Sequence, residues 1–336
     1  MASNIAFSPK EWRVAVQGET TAGADIHDGM FELDVDSIAM PSLNVNQSLD
    51  VRGGGTGRTF KSQDFYQDNV CRVTEVSLSG RYHDDATANG GHEHLIRNIT
   101  GSHGSDCTVA TGYTPDNIKY GSSGHTATEF DTFTLAFIAP SHSNAKNIVM
   151  EGCVVTSFTL SADNGTDGGQ YKWSATIQTG RIPEFANSDD LSAVATAYAN
   201  SNFFKLSNAT AIQVKNADVV LNSFSLNIDN PATFTGMEAT GYQVVNRGAE
   251  CSVTVDCQVK YDANTDEFIN DFDTQGASPT IMGTDAFEIA ASNAGGISIE
   301  DGVFTNVALS EGDIMMLDIS IKAIDDGSTA LVSFDF

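Results

Sequence analysis

Five short segments of this chain occur twice in the same order, and this internal repeat constrains the fold more than any other sequence feature. The best match joins residues 154–161 to residues 303–310, where four of eight positions are identical. The other matched segments are residues 42–45 with 225–228, 74–77 with 253–256, 95–98 with 268–271 and 173–177 with 317–321. A single match between strand-like sequences arises by chance, but five collinear matches indicate one structural unit that is present twice.

The repeat predicts two domains, residues 1–190 and residues 191–336, and the length of 336 residues suits two domains. A helix is predicted at the boundary, over residues 189–198, because apolar side chains recur there at helical spacing and two aspartates precede them. The acidic excess is shared, with net charges of −12 and −15 in the two parts. The acidity therefore belongs to both copies and not to a tail.

Strand patterns dominate both halves. Apolar and polar residues alternate strictly over residues 251–261, which is typical of a strand with one buried face. Similar alternation covers residues 154–160, 171–177 and 315–321, and turn-forming residues separate these runs. Short helices are predicted near residues 92–98 and 266–272. The predicted fold is therefore mainly β, with antiparallel sandwich or barrel-like sheets and one short flanking helix in each copy.

The charge composition excludes several classes of protein. Asp and Glu outnumber Lys and Arg by 44 to 17, so the net charge is −27 and the surface repels nucleic-acid phosphates. The longest purely apolar run, residues 135–139, is far too short to span a bilayer, and no membrane contact is expected. The N-terminal residues do not resemble a signal peptide. The five cysteines are odd in number and widely spaced, which predicts free thiols from a reducing compartment.

No motif in the chain supports catalysis or metal binding. His92 and His94 have no third ligand at a recognisable spacing, and we expect them to be solvated at the start of a helix. The segment from Asp262 departs from a calcium loop, because Glu267 and Asp273 replace its glycine and its glutamate. Neither a phosphate-binding loop nor a nucleophile elbow is present, and residues 163–169 are typical of a hairpin turn. We therefore expect no enzyme activity, no cofactor and no metal.

Residues 12–23 and 37–52 resemble the tail tube, or major tail, proteins of long-tailed bacteriophages. The likeness starts with the run WRVAVQGETTAG and continues with SIAMPSLNVNQSLDVR. It returns in the second copy in residues 223–232, 247–250 and 259–262. These motifs are structural and not catalytic, and through the two copies they extend over most of the chain.

The resemblance implies two tandem β-sandwiches of the tail-tube type. Proteins of this family form six-fold rings in which the sheets of neighbouring subunits join around a lumen, and the rings stack into the conduit for DNA. A chain with two copies implies a ring of three chains with pseudo-six-fold symmetry. The implied partners are other copies of this chain, through lateral and axial contacts, and other tail proteins such as the terminator, the tape measure and the distal tail protein. DNA would pass without specific binding, and the protein would be made in the host cytoplasm and reside in the virion.

Two segments are candidates for contacts between subunits. The glycine-rich segment with Arg52, Gly53, Gly54, Gly55 and Arg58 interrupts the first copy, and we interpret it as a ring-stacking loop whose arginines meet acidic groups of the next ring. A mobile hairpin tip is the alternative. Trp12 lies in an otherwise polar N-terminal segment, which favours an arm that contacts a neighbouring subunit over a disordered tail.

Alternative functions remain open at the level of sequence. The chain is also compatible with another virion ring protein, a tail terminator or a baseplate component, and with a carbohydrate-binding β-sandwich. A binding site of the last kind needs exposed aromatic side chains, and the sequence holds only two tryptophans, Trp12 and Trp173. The negative charge of both copies further suggests that part of the acidic excess faces a lumen, where it would repel DNA.

Overall fold

The computed structural model describes most of the strands of both halves. The described residues are 8–19, 29–41, 47–49, 65–67, 73–82, 91–100, 132–140, 146–186, 203–235, 244–247, 251–270, 280–291, 296–324 and 331–335. The helix predicted over residues 189–198 lies outside these residues, as does the candidate loop with Arg52 and Arg58.

The first half contains ten described strands, one α-helix and a short 3-10 helix, Pro9–Glu11. In chain order these are β1 Arg13–Gly18, β2 Phe31–Leu33, β3 Ser37–Ile38, β4 Gln47–Leu49, β5 Phe65–Gln67, β6 Thr74–Arg81, α1 Gly91–Thr100, β7 Phe133–Ile138, β8 Asn147–Asp163, β9 Lys172–Thr179 and β10 Glu184–Ala186.

The first described helix of the second half is another 3-10 helix, Leu206–Asn208. Its described elements are β11 Ala209–Val214, β12 Ala217–Asp218, β13 Leu221–Asp229, β14 Thr233–Thr235, β15 Val244–Asn246, β16 Ser252–Lys260, α2 Glu267–Asn270, β17 Phe287–Ala291, β18 Gly296–Ile299, β19 Gly302–Ser310, β20 Met316–Ala323 and β21 Ser333–Asp335. The fold is mainly β, and every described strand pair is antiparallel.

Eight strands form one long sheet that runs through both halves, in the order β3–β6–β9–β8–β13–β16–β20–β19. Two smaller sheets cover it, and we call them the first and second cover sheets. Their strand orders are β2–β1–β7–β8–β10 and β12–β11–β17–β18–β21. Strand β8 is long enough to take part in both the first cover sheet and the long sheet.

The strands of the two halves occupy matching positions. In the long sheet the first half contributes β3–β6–β9–β8 and the second half contributes β13–β16–β20–β19, each with the same order of hairpins and crossovers. The ladder registers match as well. Val155 pairs with Ile177, Phe304 pairs with Ile321, and the ladder shifts register directly after Val155 and directly after Phe304. A bulge at the same place in both ladders means that positions 149 residues apart occupy equivalent places in their ladders.

The core lies between the long sheet and the cover sheets. One face of each long-sheet strand is apolar, as in β16, where Val253, Val255, Cys257 and Val259 are buried while the residues between them are not. Trp173 is buried, and its indole nitrogen donates a hydrogen bond to the Arg81 carbonyl. Alternation with a period of two therefore places one face of the sheet inside and leaves the other polar.

The two short helices form where the sequence predicts them, but the expectation that the histidines of α1 are solvated is wrong. His92 and His94 are both buried. The His92 ring packs against Tyr82 at 4.4 Å between centroids, and the His94 ring packs against Phe31 at 5.4 Å. The first turn of α1 packs against the sheet, so even its two histidines are shielded from solvent. Within the described part of the chain, no helix is both long and apolar enough to cross a membrane.

Candidate assembly interface

The two halves join where β8 pairs with β13. Residues 157–163 of β8 run antiparallel to residues 223–229 of β13, with Phe158 opposite Ile228 and Leu160 opposite Leu226. All four of these side chains are buried. Burying one such side chain contributes about 1.5–3 kcal/mol, so this pairing accounts for much of the stability of the joint. Because β9 pairs with the other edge of β8, this part of β8 has no free edge.

Hydrogen bonds beyond the ladder fix the register of the joint. The Thr159 hydroxyl donates to the Asn227 side-chain oxygen at 3.0 Å, and the Asn230 backbone nitrogen donates to the Thr156 carbonyl at 3.0 Å. The Asn230 side chain also donates to the Ile99 carbonyl at the end of α1, at 2.7 Å. These hydrogen bonds can form in only one alignment of the two strands.

A buried arginine ties the second half to the helix of the first. Arg247 is fully buried, and its guanidinium donates to the Asn98 side-chain oxygen at 2.9 Å, to the Val155 carbonyl at 2.7 Å and to the Asn230 carbonyl at 2.9 Å. Asn98 also accepts from the Val155 backbone nitrogen at 2.7 Å. A buried charge is tolerated only with such partners, so this network depends on the two halves being docked.

Phe204, among the first described residues of the second half, forms backbone hydrogen bonds with two residues of the first half. The Phe204 backbone nitrogen donates to the Tyr82 carbonyl at 3.3 Å, and the Phe204 carbonyl accepts from the Tyr171 nitrogen at 3.0 Å. The Tyr171 ring contacts Phe204 at 4.6 Å and Phe224 at 5.1 Å between centroids. Burial raises the pKa of the Tyr171 hydroxyl well above its usual range. An aromatic cluster thus closes this end of the joint.

Strand β19 occupies the position of β8, but most of its outer edge is unpaired among the described strands. It pairs with β20 on one side, and beyond Gly302 no described strand pairs with its other side. Leu309, at the position equivalent to the buried Leu160, is 50% exposed, and Val307, equivalent to Phe158, is only partly buried. Unpaired backbone groups beside exposed apolar side chains are the usual mark of a strand edge that pairs with another chain.

The opposite edge of the long sheet is open as well. Strand β3 pairs only with β6 among the described strands. Ile38 of β3 is opposite Leu78 of β6, and Phe224 of β13 is opposite Cys257 of β16. Because these two strand pairs hold the same position in their halves, Ile38 is equivalent to Phe224. Met40, two residues further on, is therefore equivalent to Leu226. Met40 is 36% exposed, whereas Leu226 is fully buried by the joint. The two free edges of the chain therefore have the same apolar positions as the two edges that meet inside it.

The solvent-facing side of the long sheet is rich in hydroxyl and amide groups. Its charged residues along the described strands are five acidic and four basic, namely Glu75, Asp163, Asp229, Asp256, Asp318, Arg81, Lys172, Lys260 and Lys322. A shallow depression crosses this face at the joint and contains Asp256, Gln258 and Asp318. The acidic excess of the chain is therefore not concentrated on this face.

Comparisons with known proteins identify no family for this chain. No family profile and no curated protein matches it. Among solved structures, it is similar to a chain described as "Virion of native gene transfer agent (GTA) particle", at 14% identity and a TM-score of 0.24, over 40% of this chain and 89% of the other. A score this low carries no argument about fold or function.

The sequence-predicted contact residues lie only partly within the described ranges. Trp12 is partly buried and packs against the core of its own chain, so its contact with a neighbouring subunit stays a prediction. Arg52, Gly53, Gly54, Gly55 and Arg58 lie outside the described residues. Residues 163–169 form the predicted hairpin turn, where hydrogen bonds from Thr166 and Gly165 lower the pKa of Asp163. No described residues form a cluster that could hold a metal ion.

Sequence reasoning gave Arg247, Asn98 and Phe204 no role in the joint, although Arg247 lies in a segment of the tail-tube resemblance and Asn98 in a matched segment of the repeat. Arg247 stands in a polar stretch before β16, and nothing in the local pattern indicates burial. A signal exists only in retrospect, since a basic residue is rare in this acidic half, which has five of the 17 Lys and Arg residues of the chain.

Proposed function

We propose that this chain is a self-assembling structural subunit in which β19 of one copy pairs with the β3 edge of the next. The observation that carries the proposal is the pair of equivalent strands β8 and β19. In β8, which pairs with β13, Phe158 and Leu160 are buried, while β19 presents Val307 and Leu309 on an edge that no described strand pairs with. By the same register, Leu309 of one copy faces Met40 of the next, and both are exposed apolar residues in the single chain.

Such an interface joins two different edges, so it repeats from copy to copy and closes into a ring or extends into a helix. We propose a ring, because the joint between successive copies then reproduces the joint inside each chain. A tandem duplication, residues 1–190 and 191–336, belongs to this proposal, and the identical strand order of the two parts supports it. Three chains then supply six equivalent units, the number found in the rings of the family that the sequence resembles.

The role we propose for the ring is the tail tube of a long-tailed bacteriophage. The sequence resemblance in residues 12–23, 37–52 and 223–232 supports this role. Stacked rings would form the conduit for DNA, with other tail proteins as partners at the ends of the tube. The protein would then be made in the host cytoplasm, reside in the virion and have neither enzymatic activity nor a cofactor.

The polar face of the long sheet suits a lumen. Ring closure through β19 and β3 makes this sheet continuous around the ring, with its apolar face covered by the cover sheets. The remaining face carries serine, threonine, asparagine and glutamine with nearly balanced charge. Because electrostatic attraction to phosphates dominates affinity for DNA, a face with little net charge on an acidic protein gives DNA no strong binding site.

The alternative functions make different predictions. A tail terminator or baseplate protein would form single rings that do not stack. A carbohydrate-binding sandwich would remain monomeric and would present aromatic residues, yet Trp173 is buried and Trp12 is packed on the core.

Electron microscopy and sedimentation of the purified chain with charge-swap variants test the proposal. We expect hollow stacked rings from the natural sequence. Leu309→Lys and Met40→Glu should each abolish rings, and the double variant should restore them in part, because opposite charges face each other across the new ladder. Ile182→Lys, a change at a 67% exposed residue away from both edges, is the matched control and should assemble normally. A monomeric natural chain, or failure of the double variant to recover, would overturn the edge pairing.

A further inference from the structure

The first half contains a backbone bracket that is filled by another segment of the chain. The Tyr82 nitrogen donates to the Tyr171 carbonyl at 3.0 Å, which fixes one side of the bracket. Phe204 fills the other side, because it donates to the Tyr82 carbonyl and accepts from the Tyr171 nitrogen. Lys205 then forms an isolated antiparallel bridge with Gln170.

The second half contains the same bracket, and no described segment fills it. The Tyr261 nitrogen donates to the Met315 carbonyl at 3.1 Å, as Tyr82 donates to Tyr171. Among the described residues, none accepts from the Met315 nitrogen and none donates to the Tyr261 carbonyl. Next to these groups, Ile314 is 63% exposed and Met315 is 45% exposed, whereas the equivalent Tyr171 is fully buried. Two backbone groups and an apolar patch thus have no partner within the part of the chain that the structure describes.

The sequence places one segment in the same relation to the first half as Phe204 has to the second. Phe204 stands two residues before the 3-10 helix Leu206–Asn208, which leads directly into β11. Phe7 stands two residues before the 3-10 helix Pro9–Glu11, which leads into β1. β1 and β11 hold the same position in their cover sheets. By this spacing, Phe7 is the counterpart of Phe204.

The described start of the chain lies far from the bracket of the same chain. Ser8, which follows Phe7 in the sequence, precedes the helix Pro9–Glu11, and this helix lies against β3 at one edge of the long sheet. Met315 precedes β20, six strand positions away, which is about 30 Å at the usual spacing of strands. One residue spans about 3.8 Å, so Phe7 of a second copy is the available occupant.

We propose that residues 7–8 of a second copy fill the bracket between Tyr261 and Met315. This inference rests on the proposed pairing of β19 with β3, which brings the N-terminal helix of the next copy to this hairpin. Phe7 donates its backbone N–H to the Tyr261 carbonyl, accepts from the Met315 nitrogen and packs its ring on the Met315 thioether, a favourable sulfur–aromatic contact. Ser8 lies opposite Ile314 as Lys205 lies opposite Gln170. Pro9 has no N–H, so the bond from Leu206 to the Gly169 carbonyl has no counterpart here.

Disulfide trapping tests the contact directly. The background carries serine at Cys71, Cys107 and Cys251, and Phe7→Cys and Met315→Cys are introduced together. We expect cross-links between chains that appear only under assembling conditions. Tyr171→Cys with Phe204→Cys is the matched control, and it should give a cross-link within the single chain because these residues already pair. Rings in which Phe7→Cys and Met315→Cys do not cross-link between chains would overturn the proposal.

Assembly measurements separate this inference from the proposed function. Phe7→Ala and Met315→Glu should each weaken assembly about tenfold or more, the loss expected for one buried aromatic contact. The double variant should assemble only slightly less well than the single variant with the larger loss, because both changes remove the same contact. Ile182→Glu should have no effect. If Leu309→Lys prevents rings while Phe7→Ala and Met315→Glu assemble normally, the edge pairing stands and this contact is wrong. If the natural chain never assembles, both are wrong.

Discussion

The Thr156 and Thr305 hydroxyls donate equivalent hydrogen bonds in the two halves of the chain. Thr156 donates to the Thr176 carbonyl and Thr305 donates to the Ser320 carbonyl, both at 3.2 Å. Each threonine is the extra residue at the bulge of its ladder. A bulge leaves one residue unpaired, and its hydroxyl here replaces part of the missing ladder.

Replacing either threonine with valine isolates the hydroxyl, because the two side chains have similar shape. Thr156→Val should lower the free energy of unfolding by about 1 kcal/mol. Thr305→Val should cost less, because Thr305 is exposed and water can satisfy the Ser320 carbonyl. Urea unfolding of both variants measures the difference, with Thr156→Ser as the control that keeps the hydroxyl. Equal, negligible losses at both sites would show that the bulges need no such bond.

Removing the Arg247 guanidinium should destabilise the joint between the halves severely. Arg247→Met removes the donor of three hydrogen bonds, to Asn98 and to two carbonyls, in a buried site, and we expect a loss of about 3 kcal/mol or more. Lys322→Met, at an exposed cation of β20, should change stability by less than about 0.5 kcal/mol. Denaturant unfolding of the two variants provides the comparison. An Arg247→Met protein as stable as the Lys322→Met protein would contradict a structural role for the network.

His94 should make stability fall in mild acid. Burial, with a smaller contribution from the nearby Arg97 cation, lowers the pKa of His94 from 6.5 to about 4. Between pH 6.5 and pH 4, His94 is therefore protonated in the unfolded chain and neutral in the folded chain. Because the unfolded chain binds more protons there, the free energy of unfolding rises with pH across this window. The full effect is about 3 kcal/mol and is lost progressively as the pH falls toward 4. Thermal unfolding between pH 4 and pH 7 should show a shallower slope for His94→Gln; an unchanged slope would exclude His94 as its source.

The buried thiols should resist modification until the chain unfolds. Cys153 and Cys257 are free and buried, and burial raises the pKa of Cys257 to about 12 and raises the pKa of Cys153 well above its usual range. The reactive thiolate is therefore scarce at pH 8. Iodoacetamide labelling followed by peptide mass spectrometry should leave both residues unmodified in the folded chain and modify both in urea. Labelling of Cys257 under native conditions would show that β16 opens in the folded state.

The arginines of the glycine-rich segment should matter for stacking and not for folding. If this segment joins successive rings, Arg52→Glu with Arg58→Glu replaces attraction to acidic groups with repulsion. Electron microscopy should then show single rings in place of tubes, and the melting temperature should be unchanged. The basic residues Lys146 and Lys215, which lie in neither proposed contact, offer a control, since Lys146→Glu with Lys215→Glu makes the same change in net charge. Tubes of normal length from the Arg52→Glu, Arg58→Glu variant would remove this role.

The sequence was sufficient for the fold class because the strands are amphipathic. Alternation in residues 251–261 identifies β16 and its buried face, since the side chains of a strand alternate between two sides. Sequence similarity did not give the correct register for one matched segment, residues 42–45 with 225–228. Similarity places Ser42 with Ser225, whereas the ladder gives Ile38 the position of Phe224, a difference of three residues. Serine and leucine recur too often in these strands for similarity to fix an alignment.

The residues of the joint could not be foreseen from local patterns. Arg247, Asn98 and Phe204 act through contacts between segments far apart in sequence, and an arginine is ordinarily a surface residue. The exposure of Leu309 was equally hidden, because its sequence context matches that of the buried Leu160. Closely similar local sequence has opposite burial here, since only one of the two strands finds its partner inside the chain.

The covalent link between β8 and β13 has a kinetic consequence. Two strands held on one polypeptide meet at an effective concentration in the millimolar range, so this pairing forms whatever the protein concentration. In the ring we propose, only the outer edges must find each other by diffusion. Masking a single edge would then hold newly made chains apart, and the onset of polymerisation would depend on one encounter per chain.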